Sequence, residues 1–239
     1  MDIAYLCGGE GTRLRPLTYT VPKPMLPIGP KPILEINILR AKKLGFKRHM
    51  LMVNYKAEVI RGYFGDGELL GVNIQYFTEK ERRGTAGQLL FLKDIVEEPF
   101  VVMNADILTD LNLKQLLQFH NSKGSDLTVA LKVTKLNIPY GVAKTVEDNL
   151  LETIDEKPTL DFLINSGVYV ISPKLLDIIP SEGMYPMIDL ISDTKDKGMK
   201  VLGYPFEDSW RDIGRLDDYM DVYHETENGT SKNDIHLKF

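Results

Sequence analysis

Leu6-Cys7-Gly8-Gly9-Glu10-Gly11-Thr12-Arg13-Leu14-Arg15-Pro16-Leu17-Thr18, closed by Pro22-Lys23-Pro24, is the stretch around which the rest of the chain is arranged. Ahead of it, the apolar run Ile3-Ala4-Tyr5-Leu6 reads as a buried strand. Three glycines within four positions let backbone N–H groups turn toward an anion and approach it closely. Arg13, Arg15 and Lys23 add fixed positive charge, against Glu10 as the one acidic side chain of the stretch. A strand that ends in such a loop is a site for a polyphosphate.

Two common phosphate loops do not fit. The dinucleotide fingerprint needs a third glycine where this chain has Leu14, and Pro16 and Pro22 prevent a regular helix from starting there. A Walker loop needs Gly-Lys-Ser/Thr, which occurs nowhere in the chain.

Working outward, apolar residues at helical spacing (Ile33, Ile36, Leu39, Leu44) predict a helix that stops at Gly45. His49 to Asn54 reads as a second buried strand, Glu58 to Phe64 as a short helix and Asn73 to Phe77 as a third strand. Thr85 to Val96 is expected to be helical, and Phe100 to Asp106 is a fourth strand ending in a carboxylate. This alternation means βαβ units and a mainly parallel sheet, in which ligands bind at the carboxyl ends of the strands. Gly8, Glu79 and Asp106 all fall at that rim. After a helix from Leu113 to Lys123, strands take over at Leu127–Val133, Gly141–Val146, Leu151–Ile154 and Ile164–Ile171. That run predicts a small antiparallel lobe beside the parallel sheet. Helical patterns return at Pro173–Ile179 and Met187–Lys197, then one strand at Val201–Phe206 and a last amphipathic helix at Arg215–Thr226. Residues 1–226 are expected to form a single domain, with a nucleotide-binding half (1–125), a second half (126–226) and a polar tail (227–239).

With 239 residues, 26% charged and 43% hydrophobic, the chain has the composition of a globular protein with one substantial core. A net charge of −5 argues against a general nucleic-acid or membrane-surface binder, whereas a local basic cluster suits a small anionic ligand. No apolar run is long enough to span a bilayer, and Asp2 and the early glycines break any signal-peptide core. The single cysteine, Cys7, excludes an intramolecular disulfide and suits a reducing cytosol, so a cytoplasmic protein is expected. Cys7 itself reads as a small packed residue.

Asp106, in Met103-Asn104-Ala105-Asp106, and Asp212, in Trp210-Arg211-Asp212-Ile213-Gly214, are two carboxylates at strand ends. Such a pair can hold Mg²⁺ through hard oxygen ligands, with phosphate oxygens and water completing the octahedron. Taken alone, Asp106 reads equally well as a helix N-cap. Glu156-Lys157 offers an acceptor for hydroxyls and a point charge for a phosphate, although adjacent Glu-Lys pairs are common on solvated faces.

Gly8 to Leu14 with Pro22 to Pro24 resembles the G-G-x-G-T-R-L…P-K-P signature of the sugar-1-phosphate nucleotidylyltransferases at every signature position. The resemblance runs from Ile3 to about Tyr219, with motifs in the family's order, and is most like the sugar-1-phosphate guanylyltransferases. Asn104-Ala105-Asp106 and Trp210-Arg211-Asp212-Ile213-Gly214 resemble the family's metal-aspartate segments, with Ala105 in place of a glycine. Tyr140-Gly141, Glu156-Lys157-Pro158 and Asn165-Ser166-Gly167 resemble its sugar-binding set. Thr78-Glu79-Lys80-Glu81-Arg82-Arg83-Gly84-Thr85-Ala86-Gly87-Gln88 resembles its base-binding segment, a strand-end acidic or amide residue followed by L-G-T-A-G, with Arg83 where leucine is usual.

The resemblance implies a Rossmann-like nucleotide-diphospho-sugar transferase fold and formation of an NDP-sugar and pyrophosphate from a nucleoside triphosphate and a sugar 1-phosphate. It implies that Leu6, Gly8, Gly9, Gly11, Thr12 and Arg13 bind the nucleotide, together with Glu79, Gly84, Thr85 and Ala86. Arg13 would neutralise the leaving pyrophosphate, Lys23 would bridge the α-phosphate and the incoming phosphate, and Asp106 and Asp212 would hold Mg²⁺. Tyr140, Gly141, Glu156, Lys157 and Asn165 would bind the sugar phosphate. A carboxylate only accepts hydrogen bonds, and guanine presents adjacent N1–H and N2–H donors, whereas uracil and thymine flank one donor with two acceptors. Glu79 therefore tilts the expectation to GTP, and the resemblance of the whole segment to guanylyltransferases implies a mannose-, heptose- or glucosamine-type sugar. The alternatives are a uridylyl- or thymidylyltransferase for glucose 1-phosphate, and a non-catalytic regulatory subunit, which would be expected to lack Arg13, Lys23 or one aspartate. No left-handed β-helix extension is expected, and the apolar edge of the last helix points to a homodimer.

Overall fold

In the computed structural model, residues 1–79 and 81–227 are described; the expected tail at 227–239 lies, past Glu227, outside the described residues. In chain order the elements are β1 (Asp2–Leu6), β2 (Pro27–Ile28), β3 (Lys31–Pro32), α1 (Ile33–Lys43), β4 (Arg48–Val53), α2 (Ala57–Phe64) and β5 (Asn73–Thr78). They continue as α3 (Gly84–Gly87), β6 (Phe100–Asn104), β7 (Ile107–Thr109), α4 (Leu113–Lys123), β8 (Leu127–Asn137), β9 (Val142–Thr145) and β10 (Leu151–Asp155). Last come β11 (Thr159–Ile171), α5 (Met187–Asp196), β12 (Val201–Phe206), β13 (Trp210–Asp212) and α6 (Leu216–Glu227).

A seven-stranded sheet in the order β12-β8-β11-β6-β1-β4-β5 forms the centre. Strand β1 lies parallel to both β4 and β6, and β5 is parallel to β4. Strand β11 is antiparallel to β6 and β8, while β12 runs parallel to β8. Because successive side chains of a strand point to opposite faces, the continuous apolar runs feed two cores. Ile3, Tyr5, Leu51, Val53, Val101 and Met103 pack on one face against Leu34 and Ile38 of α1, Ile60 and Phe64 of α2, and Leu116 of α4. Ala4, Met50, Met52, Phe100 and Val102 pack on the other against Ala86, Leu89, Leu175 and Leu190. Both faces of the sheet are thus covered, as a mainly parallel sheet requires.

The expected antiparallel lobe is continuous with this sheet. Strands β8 and β11 are buried at their inner ends, from Leu127 to Ala130 and from Val168 to Ile171. They then run outward as an exposed two-stranded ribbon, with Leu163 paired to Val133 and Thr159 to Asn137. Their pairing shifts between Asn165 and Tyr169, at Gly167 with φ +74°. The β9–β10 hairpin completes the lobe. Both strands are longer than the pattern predicts, because residues exposed on both faces carry no alternation to read.

One helix is much shorter than expected. Instead of 85–96, the chain forms α3 and a 3-10 turn from Gln88 to Leu92. Two glycines in four residues disfavour a long helix here. The N–H groups of Ala86 and Gly87 are satisfied by Tyr185 O at 3.0 and 2.9 Å, so the turn is capped by a distant loop. The segment 173–179 is likewise a 3-10 turn over Pro173–Asp177. Among the described residues, no helix is long and apolar enough to cross a membrane.

Candidate active site

The glycine loop leaves β1 at the rim where the parallel strands end. No regular helix follows; the chain makes three 3-10 turns, Thr12–Leu14, Leu17–Tyr19 and Lys23–Met25, pinned by the fully buried Leu14. Each glycine has its own reason. Gly11 has φ +62°, and a β-carbon there would lie 2.9 Å from Thr18 Cγ2 and 3.2 Å from Lys23 Cβ. Thr18 Oγ1 donates to Gly11 O at 2.8 Å, so the loop folds back and delivers Lys23 to the rim. A β-carbon at Gly8 would lie 3.3 Å from Glu79 Oε1. At Gly9 it would meet nothing within 4 Å. Among the described residues no atom requires Gly9, so the free space above it is a cradle that a ligand's phosphates can enter.

Lys23 Nζ donates to Asp106 Oδ2 and lies 4.0 Å from Asp212 Oδ1. A short ladder makes this meeting possible. Strand β13 pairs antiparallel with β7 so that Asp212 stands opposite Ile107, and Ile213 N–H donates to Asp106 O at 3.1 Å. Neither of these three-residue strands was expected from the sequence, which read 210–212 as a segment after the last strand. Burial and the charge of Asp106 push the Asp212 carboxyl above its ordinary range, while Lys23 and Arg13 pull against them. Burial, and then Asp106, also pushes the Cys7 thiol far up, which fits its reading as a packed residue.

The donor set suits a divalent cation. Asp106 Oδ1 is buried and has no hydrogen-bond partner among the described residues. Two close carboxylates share one ammonium, an excess of negative charge that a cation relieves. Among the described residues no cluster of three or more His, Cys, Asp or Glu forms a complete cage. One or two carboxylates completed by phosphate oxygens and water is the arrangement Mg²⁺ favours.

Across the rim, Glu79 follows β5 and its Oε2 accepts from Arg83 N–H at 2.9 Å. The loop is held by 180–186: Tyr185 N–H donates to Arg83 O at 2.7 Å, and a β-carbon on Gly84 (φ +78°) would lie 2.8 Å from Tyr185 backbone atoms. Arg83, where the resembled family has leucine, reaches over the same loop to donate to Pro180 O at 2.8 Å. Arg82 pairs with Glu10, tying this loop to the glycine loop.

These parts enclose a cleft of about 280 Å³. Of the expected residues, Leu6, Gly8, Gly9, Lys23, Glu79, Gly84, Thr85 and Asp106 line it. Gly11 and Ala86 support the lining from behind, Arg13 and Thr12 are exposed beside it, and Asp212 reaches it through Lys23. The expected sugar residues do not line it. Gly141 and Glu156 meet on the lobe, where a β-carbon on Gly141 would lie 3.1 Å from Glu156 Oε2; Tyr140 is 74% exposed, and Lys157 follows with φ 47°. Asn165 Oδ1 accepts from Gly167 N–H at 3.0 Å, and a β-carbon on Gly167 would lie 2.6 Å from Asn104 Nδ2, so the lobe touches the cleft wall at this point. The lining also includes Cys7, Glu10, Pro24, Arg82, Gln88 and Asn104, which lie inside the segments singled out in the sequence without a role of their own, and Met184, which lies outside them. Asn104 was within reach, as a polar residue closing an apolar strand; Met184 comes from a loop that carries no sequence signal.

The sequence model of one protein family, described as nucleotidyl transferase, matches residues 5–229. A UTP–glucose-1-phosphate uridylyltransferase of Synechocystis sp. is 34% identical over 238 residues, covering 92% of this chain and 61% of that protein. The chain therefore spans about three-fifths of the length of that relative. A D-glycero-alpha-D-manno-heptose 1-phosphate guanylyltransferase of Campylobacter jejuni is 35% identical over 220 residues, covering 92% of this chain and 97% of that protein. Among solved structures, one titled as a glucose-1-phosphate thymidylyltransferase from Bacillus anthracis shares the fold, with a TM-score of 0.77 at 20% identity, over 95% of this chain and 96% of that one.

Proposed function

The chain belongs to the nucleotidyl transferase family, and from that premise we propose that it joins GTP and a sugar 1-phosphate into a GDP-sugar, releasing pyrophosphate. The observation that carries this reading is Lys23 gathered with Asp106 and Asp212 beside the open cradle at Gly9, with Glu79 facing the same cleft. Residues 1–226 act as one catalytic unit, in the cytoplasm, with α6 as the edge of a homodimer.

The sugar phosphate oxygen is already an anion at neutral pH, so it attacks the α-phosphorus without a general base. A new P–O bond forms, the bond to the bridging oxygen breaks, and pyrophosphate leaves with the electron pair. Catalysis is then a matter of positioning and charge. Gly8, Gly9 and Gly11 shape the loop so that main-chain N–H groups face the phosphates. Arg13, exposed and close enough to act on Asp212, neutralises the leaving pyrophosphate. Lys23 holds the α-phosphate and the incoming phosphate together. Asp106 and Asp212 would hold a divalent cation, Mg²⁺ in this reading, which when bound offsets charge on the phosphate oxygens. On the lobe, Tyr140, Gly141, Glu156, Lys157 and Asn165 orient the sugar phosphate. Glu79, with Gly84, Thr85 and Ala86, receives the base.

Guanine is favoured because Glu79 presents only acceptors, and the Campylobacter relative is named for guanylyl transfer to a manno-heptose 1-phosphate. A mannose-, heptose- or glucosamine-type sugar fits this reading. A second reading, uridylyl transfer to glucose 1-phosphate, draws on the name of the Synechocystis relative. The presence of Arg13, Lys23, Asp106 and Asp212 speaks against a non-catalytic subunit. The test is pyrophosphate release with Mg²⁺, pairing GTP, UTP, dTTP, CTP and ATP with a panel of sugar 1-phosphates. Release that depends on GTP and one sugar phosphate is expected. Release with UTP or dTTP alone would move the assignment to the second reading, and nucleotide-sugar binding without release would overturn catalysis.

A further inference from the structure

Gln88 follows Gly84-Thr85-Ala86-Gly87 and lines the cleft, although only 6% of it is exposed. Its Nε2 donates to Gly84 O at 3.2 Å, which fixes the sense of the amide: the opposite orientation would set oxygen against oxygen. Its Oε1 is buried and has no hydrogen-bond partner among the described residues. Glu79 Oε2 takes the Arg83 N–H, while its Oε1 faces the point where a β-carbon on Gly8 would stand. Gln88 Oε1 faces the same point, with the two oxygens 3.9 Å and 3.3 Å from it. Two acceptors therefore lie near one point beside Gly8, with Asn54 Cβ 3.4 Å from the same point.

Buried acceptors are rarely left unpaired, because the loss of water hydrogen bonds goes uncompensated. Support of the loop explains the Nε2 contact and leaves Oε1 without a purpose. We propose that Gln88 is a specificity-determining residue that accepts the second N2–H of guanine, beside a Glu79 carboxylate that takes N1–H and the first N2–H. This inference rests on the guanylyl reading above and adds to it the recognition of the 2-amino group. A base with three adjacent N–H bonds satisfies both side chains. Hypoxanthine, which lacks the amine, leaves Gln88 Oε1 unpaired, and a pyrimidine leaves more.

The experiment compares GTP, ITP and N2-methyl-GTP in calorimetric binding and in pyrophosphate release, using the full chain and Gln88→Met, which keeps volume and removes the acceptor. GTP is expected to exceed both analogues in the unsubstituted chain. In Gln88→Met the preference for GTP over ITP falls about tenfold, the worth of one ordinary hydrogen bond in a closed site; loss of the Nε2 contact to Gly84 acts on both nucleotides and leaves that ratio as the readout. A merely structural Gln88 would weaken GTP and ITP alike and leave their ratio intact, which would overturn the inference and keep the guanylyl reading. The unsubstituted chain tests it independently of any folding defect: equal acceptance of N2-methyl-GTP and GTP would also overturn it. Turnover of UTP or dTTP with neither purine would remove the guanylyl reading and this inference together.

Discussion

Replacing Gly9 and Gly11 by alanine, one at a time, separates what the glycine loop needs in order to fold from what it needs for the phosphate binding proposed above. At Gly11 the cost falls on the fold. The left-handed conformation at φ +62° costs a residue with a β-carbon about 1–2 kcal/mol. The new methyl would stand 2.9 Å from Thr18 Cγ2, closer than such carbons approach, and relieving that overlap costs about 1–3 kcal/mol. Together the two effects give roughly 2–5 kcal/mol, which for a chain of this size lowers the melting temperature by about 4–20 °C. At Gly9 neither term applies, because the φ is ordinary and a β-carbon meets no atom within 4 Å. Stability there should stay within about 0.5 kcal/mol, or rise slightly as the unfolded chain loses freedom. The damage should appear instead in ligand binding, where a methyl fills the cradle and removes close main-chain contacts to phosphate, costing about 10²–10³ in kcat/KM. Thermal denaturation and calorimetric titration with GTP read the two effects separately. Gly9→Ala melting as low as Gly11→Ala, or binding GTP like the unsubstituted chain, would refute the cradle.

Three further outcomes follow from the same geometry. Arg13→Ala and Asp106→Asn should each lower turnover by about 10²–10³ in a pyrophosphate-release assay while keeping a cooperative melt; loss of the folded state in either would mean that the residue serves the fold. Glu79→Gln should swing base preference from GTP toward UTP or dTTP, since an amide matches a base with both donors and acceptors; unchanged preference across the nucleotide panel would dismiss Glu79 as the reader. His49 and His120 are buried, and burial lowers both from 6.5 to about 4. The folded chain keeps them neutral while the unfolded chain takes up protons below pH 6.5, so stability should fall between pH 6.5 and about 4, then level off. At ~1.4 kcal/mol per pH unit each histidine carries up to about 3 kcal/mol. Urea melts across that window measure the slope, His120→Gln should remove about half of it, and a flat profile would contradict their neutral burial.

The central sheet was legible because its strands are apolar throughout. Ile3-Ala4-Tyr5 and Phe100-Val101-Val102-Met103 are buried on both faces, so their runs announced strands whichever core they fed. Helices α1 and α4 announced themselves by spacing and by the glycines that end them, Gly45 and Gly124. The outer halves of β8 and β11 were harder. Leu136, Phe162 and Leu163 remain 53%, 44% and 55% exposed, so polar and apolar residues alternate there without a buried face to sort them. The helix expected over 85–96 failed for another reason: its first turn depends on Tyr185 O, a partner about a hundred residues away that local spacing cannot reveal.

The site divides along the same line. Motif letters identified Lys23, Asp106 and Asp212, yet nothing local says that they meet. That depends on three-residue strands, too short for any periodicity to register, whose antiparallel ladder sets Asp212 opposite Ile107. Side chains alternate along a strand, so a slip of one residue in this ladder would present Arg211 where Asp212 now stands. The register is held by more than the ladder itself. Trp210 Nε1 donates to Ser166 O at 2.9 Å, and Arg211 pairs with Glu225 of α6 at 3.0 Å, drawing its guanidinium away from Lys23. Ile213 is fully buried against Leu14, Ile28 and Leu108. The residues on either side of Asp212 thus have their own places, on the lobe strand, on the last helix and in the core beneath the glycine loop. Asp212 is left facing Lys23 because each neighbour is committed elsewhere, and the same packing that buries Leu14 under the glycine loop fixes the second carboxylate beside it.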